Sequence, residues 1–388
     1  MKIGLISETL QGERRVALVP DAAARLAMSS FELVMEAGAG EQAGFADSAY
    51  HEAGVAVEAD RRALLGTVNV VLSVQPLDLE DVTWLRVGAA TISFLQPTTQ
   101  GTLIEALAAQ GITAFSLELL PRISRAQSMD ALSSQASLSG YKAVLMAANR
   151  LGKFFPMLTT AAGTIPPAHV LVLGAGVAGL QAIATARRLG AVVEAYDVRS
   201  AVKEEVKSLG ASFLELELGA QEGKGGYARE QTDEFLAKQR ALLTTRVAVA
   251  DVVITTAAIP GRRAPLLVTA PMVQGMRRGS VIVDLAAETG GNCEVTQPGR
   301  VVEVDGVWVD GTTNVPSTMA LHASQLYARN VSNLLQHLAS EGELKLDFED
   351  EITRDCCVTH HGQVVNERAR QLMGVAAAPQ PTQSEASR

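Results

Sequence analysis

The stretch HVLVLGAGVAGLQAIATARRLGAVVEAYD, His169–Asp197, decides the fold. Its first residues are aliphatic and read as a buried strand. Gly174-Ala175-Gly176-Val177-Ala178-Gly179 follows and matches G-x-G-x-x-G. A helical run comes next, then a second aliphatic strand ending at Asp197, 18 residues beyond Gly179. Strand, glycine turn, helix and terminal acid together make the motif a dinucleotide signature. The first glycine permits the tight turn, the second lets backbone approach a pyrophosphate, and the third lets helix and strand pack closely. The helix N-terminus then faces the phosphates. Asp197 would accept from the adenosine ribose hydroxyls and repel a 2′-phosphate, which favours NAD over NADP, although Arg199 nearby pulls the other way. The expected cofactor residues here are Gly174, Gly176, Val177, Gly179, Asp197, Val198 and Arg199. A turn that merely packs a helix on a strand would use the same glycines without calling for the acid.

Outward from this unit the pattern repeats. Before it, Lys2–Ile6, Phe31–Glu36, Val68–Val74, Ala90–Leu95 and Ile112–Leu117 read as strands, with helices near 21–28, 60–65 and 101–110. After it, Ala211–Leu216, Val252–Thr256, Val281–Leu285 and Val307–Gly311 continue the series. Strands alternating with helices imply βαβ units and parallel sheets. The expectation is an α/β chain with two Rossmann-like domains, a nucleotide cleft between them, and a long helix from about Ser317 returning to the first domain. The expected boundaries are 1–132 plus 318–375 for the N-terminal domain, 133–317 for the NAD(H) domain, and a disordered tail over 376–388. Ala257 and Ala258 follow a strand end, where open α/β sheets bind dinucleotides, and their small side chains leave room for one.

Composition narrows the function classes. Of 388 residues, 47% are hydrophobic and only 4% aromatic, which suits aliphatic parallel sheets. The net charge of −9 disfavours a nucleic-acid partner. Three cysteines, Cys293, Cys356 and Cys357, make neither an even disulfide framework nor a metal spacing, and a reducing cytoplasm is the simplest reading. The opening residues MKIGLISE lack the layout of a signal peptide, and no apolar run approaches the ~18 residues of a membrane helix. His360 and His361 read as a solvated turn with no metal expected, and Asp347–Glu351 as a solvated acidic face.

One segment is conspicuously polar. Pro121–Ser134 packs two arginines, a glutamine, an aspartate and four serines into a largely apolar chain. From residues alone it is either a binding loop or a polar hinge that caps the helix after Ser133. The glycine-rich stretch over 219–235 reads as a long loop.

These segments carry a family resemblance. GERRVALVP (Gly12–Pro20), PRISRAQSMDALSSQA (Pro121–Ala136), GAGVAGLQAI, ITTAAIPGRRAP (Ile254–Pro265), VIVDLAAETGGNCE (Val281–Glu294) and TNVPS (Thr313–Ser317) resemble the NAD(H)-binding subunit, domain I, of proton-translocating transhydrogenases. The chain resembles alanine dehydrogenases more distantly. The resemblance implies that Arg122, Gln127, Asp130 and Ser133 are the catalytic-site residues contacting the nicotinamide, and that Gln127 could bridge to a second nucleotide on a partner. It implies that Gly226 and Tyr227 sit on a mobile loop folding over NAD(H). It also implies a homodimer, an NADP(H)-binding beta subunit (domain III), and a membrane-spanning subunit that passes protons. The chain itself would be peripheral on the cytoplasmic face of the inner membrane.

The two relatives can be told apart by chemistry. Reducing an imine or keto acid needs a proton donor beside the hydride acceptor. By resemblance, alanine dehydrogenases use a lysine after the third strand and a histidine after the next. The matching places read SVQPLD and SFLQPTT and offer Gln75 and Gln96, which cannot serve as acid or base. Arg15 would bind a substrate carboxylate in such a dehydrogenase, and a structural ion pair is the equal alternative. Glu288 matches a dehydrogenase aspartate position and reads as structural. The expected function is hydride transfer between NADH here and NADP⁺ on the partner. The alternatives are an NAD-dependent amino-acid dehydrogenase and a non-catalytic NAD-binding regulatory module.

Overall fold

The computed structural model describes residues 1–29, 31–216, 232–259 and 261–374. The tail expected over 376–388, and most of the loop expected over 219–235, lie outside the described residues. The chain divides into two compact units, Met1–Ser134 with Ala320 onward, and Gln135–Met319.

The first unit begins with β1 (Lys2–Leu5), β2 (Glu32–Glu36), β3 (Ala56–Glu58), β4 (Val70–Leu72), β5 (Ala90–Ser93) and β6 (Thr113–Ser116). The second unit carries a short hairpin, β7 (Leu158–Thr160) with β8 (Gly163–Ile165). Its sheet comprises β9 (His169–Leu173), β10 (Val192–Tyr196), β11 (Ser212–Phe213), β12 (Val252–Thr255), β13 (Val281–Asp284), β14 (Val301–Val304) and β15 (Val307–Asp310). The chain then returns to the first unit with the Ala320–Leu338 helix, a hairpin of β16 (Ala339–Ser340) and β17 (Glu343–Leu344), and strands β18 (Cys357–His360) and β19 (Gln363–Val364).

Both large sheets follow the same winding. The first runs β19-β18-β6-β5-β4-β1-β2-β3 and the second β11-β10-β9-β12-β13-β15-β14. All pairs from β1 to β6 are parallel, as are those among β9–β13 and β15. In each sheet the strand order reverses beside the first strand of the unit, between β1 and β4 and between β9 and β12. That is the switch point where doubly wound sheets open a ligand crevice. Antiparallel strands β14, β18 and β19 cap the sheet edges, and the sequence pattern did not announce them.

Alternation along the strands explains the two-faced burial. In β9, Val170 and Val172 face a core with Ala182 and Ile183, while Leu171 and Leu173 face the other with Leu243 and Val247. In β4, Val70 and Leu72 join Tyr327 and Leu334 of the Ala320–Leu338 helix, and Val71 joins Leu64 and Leu103. Strands covered on both sides need no polar alternation, so they read as aliphatic runs.

A second helix, Ala131–Arg150, supports the glycine motif from behind. A Cβ at Gly140 would stand 2.0 Å from the Ala178 carbonyl oxygen. No real Cβ tolerates that distance, so Gly140→Ala must separate the two backbones. We expect a loss of at least about 1–3 kcal/mol, the usual cost of overpacking. Gly152→Ala, with open space around its Cβ, should leave the urea midpoint nearly unchanged. Equal midpoints for the two variants would refute the packing argument.

Candidate functional site

In the second unit, β9 ends at Leu173 and the chain turns through Gly174 at φ 101°. A Cβ at Gly174 would lie 2.6 Å from Thr256 Oγ1, and one at Gly179 would lie 1.9 Å from the Gly174 carbonyl oxygen. Gly176 differs, because nothing stands within 4 Å of the place its Cβ would take. It is the N-cap of the Val177–Arg188 helix, and no side chain caps that helix end. Two glycines are thus required by contact, and the middle one leaves space beside uncapped N–H groups. A pyrophosphate fits that arrangement. Val177, exposed at the helix start, flanks the opening.

Asp197 follows β10 and is drawn onto the same turn. Its Oδ2 accepts from the Ala175 N–H at 2.8 Å, and Oδ1 accepts from the Arg199 N–H at 2.9 Å. The Arg199 guanidinium embraces both oxygens at 2.9 Å. Burial alone would raise the Asp197 carboxyl, but Arg199 and the two N–H groups outweigh it and hold it below the usual carboxylate range. Val198 packs against the core containing Tyr196 and Leu243.

Across the switch point, Thr256 Oγ1 donates to the Gly174 carbonyl at 3.0 Å. Ala257 is half-buried and Ala258 is exposed or nearly so at the start of the loop. Asn292 fixes this loop: its Oδ1 accepts from the Ala257 N–H at 3.0 Å, and its Nδ2 donates to the carbonyls of Ala257 and Pro265, both at 2.8 Å. Asn292 is itself held by Asp284, a fully buried carboxylate that accepts from Thr255, Ala286, Asn292, Cys293 and Thr296 at 2.7–3.0 Å. Sequence reasoning missed both residues. The available signal was an acid closing an otherwise aliphatic strand, VIVD. Glu288 is exposed and accepts from the Asn314 N–H, in keeping with a structural part. Gly226 and Tyr227 lie outside the described residues.

In the first unit the same switch point is closed. Glu8, just beyond β1, accepts from the N–H groups of Val74 at 2.6 Å and Gln75 at 2.9 Å, beyond β4. Glu118 does the same for Leu95 and Gln96, both at 2.9 Å. The Gln96 amide donates to Gln75 Oε1 at 2.7 Å, and the Gln75 amide donates to Glu13 Oε2 at 2.7 Å. Glu13 in turn takes a two-pronged bond from Arg15, at 2.8 and 2.6 Å, with both side chains buried. The ion-pair reading of Arg15 is therefore the one realised. Burial tends to raise the Glu13 carboxyl, but Arg15 dominates and brings it down to about 2. Burial pushes Glu8 up to about 8, against the pull of its two N–H donors and with help from the charge of Glu13.

The Pro121–Ser134 segment lies in this unit too. Ser124–Met129 forms a short 3-10 turn with Ala126 and Met129 buried. Arg122 and Gln127 are exposed, and the Gln127 side chain makes no hydrogen bond among the described residues. Asp130 caps the helix that follows, its Oδ1 accepting from the Ser133 N–H at 2.9 Å and its Oδ2 from the Ser133 hydroxyl at 2.6 Å. The capping role is thus present, and the exposed donors stand beside it. Two expectations need correction. His360 is not simply solvated, because its ring stacks on Phe348 and its Nδ1 lies 3.1 Å from Thr113 Oγ1. Nor is Asp350 part of a solvated face, because it caps a helix at Ile352 and pairs with Arg125 at 2.7 Å. No group of His, Cys, Asp and Glu able to hold a metal exists among the described residues.

Two doubly wound units, one with an open glycine turn and one with its crevice closed by its own carboxylate, define a nucleotide-binding protein of the dehydrogenase type. The family descriptions "Alanine dehydrogenase/PNT, N-terminal domain" and "C-terminal domain" match residues 4–139 and 143–367, and the chain belongs to the alanine dehydrogenase/PNT family. It is 46% identical to the first portion of the NAD(P) transhydrogenase alpha subunit of Rhodospirillum rubrum, itself a separate chain, over 94% of this chain and 98% of that one. A solved transhydrogenase from Sinorhizobium meliloti superimposes with a TM-score of 0.83 at 42% identity, covering 95% of this chain and 100% of the other. A solved L-alanine dehydrogenase gives 0.82 at 27% identity, over 96% and 99%. The fold thus groups with both, and the sequence stands nearer the transhydrogenases.

The Glu8 site makes a pH prediction. Folded Glu8 keeps its proton to about pH 8, whereas the unfolded residue releases it near 4.5. The folded state binds the extra proton between those values, so its contribution is fully present below 4.5 and is lost as the pH rises through about 8. Glu8→Gln cannot ionise and should lack this loss. Relative to the parent, its urea midpoint should therefore rise between about pH 5 and about pH 9. Parallel profiles would contradict the assignment.

Proposed function

We propose that this chain is the NAD(H)-binding subunit of a proton-translocating transhydrogenase, serving hydride transfer between NADH and NADP⁺ held by a partner subunit. The observation that carries the reading is the self-satisfied chain Gln96–Gln75–Glu13–Arg15. It offers amides where a keto or imino acid would need a proton donor, and its one guanidinium is neutralised by Glu13. Exchange of hydride between two nicotinamides needs no proton donor at the reacting carbons, so this environment does not hinder that reaction. The 46% identity to a transhydrogenase alpha subunit points the same way.

NAD(H) would lie with its pyrophosphate at Gly174, Gly176, Val177 and Gly179, its adenosine ribose at Asp197 with Val198 and Arg199 beside it, and its path past Ala257 and Ala258. When bound, the nicotinamide supplies the hydride chemistry. The protein binds, orients and excludes water. Arg122, Gln127, Asp130 and Ser133 provide the directional donors and acceptors that a carboxamide and ribose require, and Gln127 has an unengaged amide to offer a second nucleotide. Gly226 and Tyr227 are proposed as a closing loop on the strength of family resemblance alone. The partners would be an NADP(H)-binding beta subunit and a membrane-spanning subunit, with this chain on the cytoplasmic face of the inner membrane. No described helix is long and apolar enough to cross a membrane. A homodimer is supported by the exposed hairpin β7–β8, beside which Phe154, Met157 and Ile165 leave apolar surface uncovered.

The test mixes the purified chain with an NADP(H)-loaded partner domain, NADH and acetylpyridine adenine dinucleotide. Reduction of the analogue should require both proteins, and alanine with NAD⁺ should give nothing. Alanine-dependent turnover by this chain alone would overturn the reading, and NADH binding without any transfer would favour a regulatory module. Asp197→Ala removes charged acceptors and leaves Arg199 without its carboxylate. It should weaken NADH by about 10-fold or more while improving NADPH relative to it, read by equilibrium dialysis. An unchanged preference would remove Asp197 from the ribose site.

A further inference from the structure

The exposed turn from Arg122 to Ser128 does not hold its own shape. Ala126 and Met129 anchor it to the core of the first unit, but its backbone is fixed by side chains 202 and 205 positions later. Asn330, on the Ala320–Leu338 helix and only 7% exposed, donates from Nδ2 to the Ser128 carbonyl at 2.9 Å. Its Oδ1 accepts from the Ser134 hydroxyl at 2.7 Å. One buried amide therefore spans Ser128 to Ser134 and brackets Asp130 and Ser133. Asn333, one helical turn further along, donates to the same Ser128 carbonyl at 3.0 Å. Outside this pair, Arg125 Nη1 meets Asp350 Oδ2 at 2.7 Å, and Asp350 Oδ1 accepts from the Ile352 N–H at 2.8 Å.

We propose that Asn330 is a positioning residue for hydride transfer, holding the Ser128–Ser134 backbone so that Gln127, Asp130 and Ser133 present fixed geometry to the nicotinamide. The proposal rests on the function inferred above. Both ends of the Asn330 amide are engaged, so the group cannot rotate without leaving a buried donor or acceptor unmet. A carbonyl gripped by two amides from one helix is fixed in direction as well as in depth. Two nicotinamides must come within roughly 3–3.5 Å and align, and a displacement near 1 Å from a distant change costs about 100-fold in rate. Asn330 itself touches neither nucleotide. Its effect passes through Ser128 and Ser134.

The decisive variant is Asn330→Asp, which keeps volume and acceptor but removes the amide donor to Ser128. In the full chain with an NADP(H)-loaded partner, we expect the transfer rate at saturating NADH to fall about 10- to 100-fold. The NADH dissociation constant should stay within about twofold, because the glycine turn belongs to the other unit. Hydrogen exchange should rise at the amides of residues 126–134 and not at 174–180. A folded Asn330→Asp with parent-like rate, or with NADH affinity lost in step with rate, would overturn the proposal. Exchange separates the two inferences: if the parent chain transfers no hydride, the function falls, and unchanged exchange over 126–134 sinks the scaffold independently. Should Asn330→Asp fail to fold, Asn333→Ala removes only the outer donor. A smaller rise in exchange at the same amides, with NADH affinity kept, is then expected, and no change there would count against the scaffold.

Discussion

The structure depends on places where backbone meets backbone with no side chain between them. Gly179 sits against the Gly174 carbonyl and Gly140 against the Ala178 carbonyl, both at distances no Cβ could occupy. These approaches bring the Ala131–Arg150 helix, the Val177–Arg188 helix and the end of β9 into one block. Gly176 is spared such contact, and the space it leaves is what the turn is for. Close packing on either side keeps the uncapped helix end rigid, and a rigid set of N–H groups binds an anion without first having to be ordered.

A second device recurs, a carboxylate that closes the end of a parallel strand. Glu8 ties β1 to the residues after β4, Glu118 ties β6 to those after β5, and Asp284 gathers the loop after β13. Strand ends leave N–H groups unpaired, and buried ones must find acceptors. In the first unit that acceptor is a side chain at the switch point itself. In the second unit the corresponding place is glycine and threonine, which fill nothing. The two units share a winding and differ in function because one crevice is satisfied from within. Burying three carboxylates, Glu8, Glu13 and Glu118, near a single guanidinium, Arg15, has an electrostatic consequence. It falls on Glu8, which keeps its proton into the neutral range.

How much of this the sequence revealed follows from how local each feature is. The glycine motif and Asp197 were legible because one continuous βαβ stretch contains every part. The parallel strands were legible because burial on both faces writes itself as aliphatic runs. β18 and β19 were not, since two short strands near residue 360 become visible only when β6, at residue 113, is there to pair with. Asn292 and Asn330 were also hidden, because an asparagine on a loop or helix looks like surface until its partners, 35 and 202 positions away, are known. Asp350 was misread for the same reason. Its acidic neighbours suggested solvent, and only Arg125 from a remote segment gave it a partner.

The second unit is inserted within the first, whose halves are Met1–Ser134 and the residues from Ala320 on. Tyr327 bonds the Ser73 carbonyl, and the Ser324 hydroxyl accepts from the Val16 N–H. The first half therefore cannot complete its core while it alone has left the ribosome. The inserted unit is continuous and can close as soon as it is synthesised. Nascent chains thus pass through an interval in which the glycine turn is built while the N-terminal half still shows the apolar faces of β1 and β4. That half waits for the Ala320–Leu338 helix, and during the wait it is the part of the nascent protein most exposed to aggregation and most in need of a chaperone.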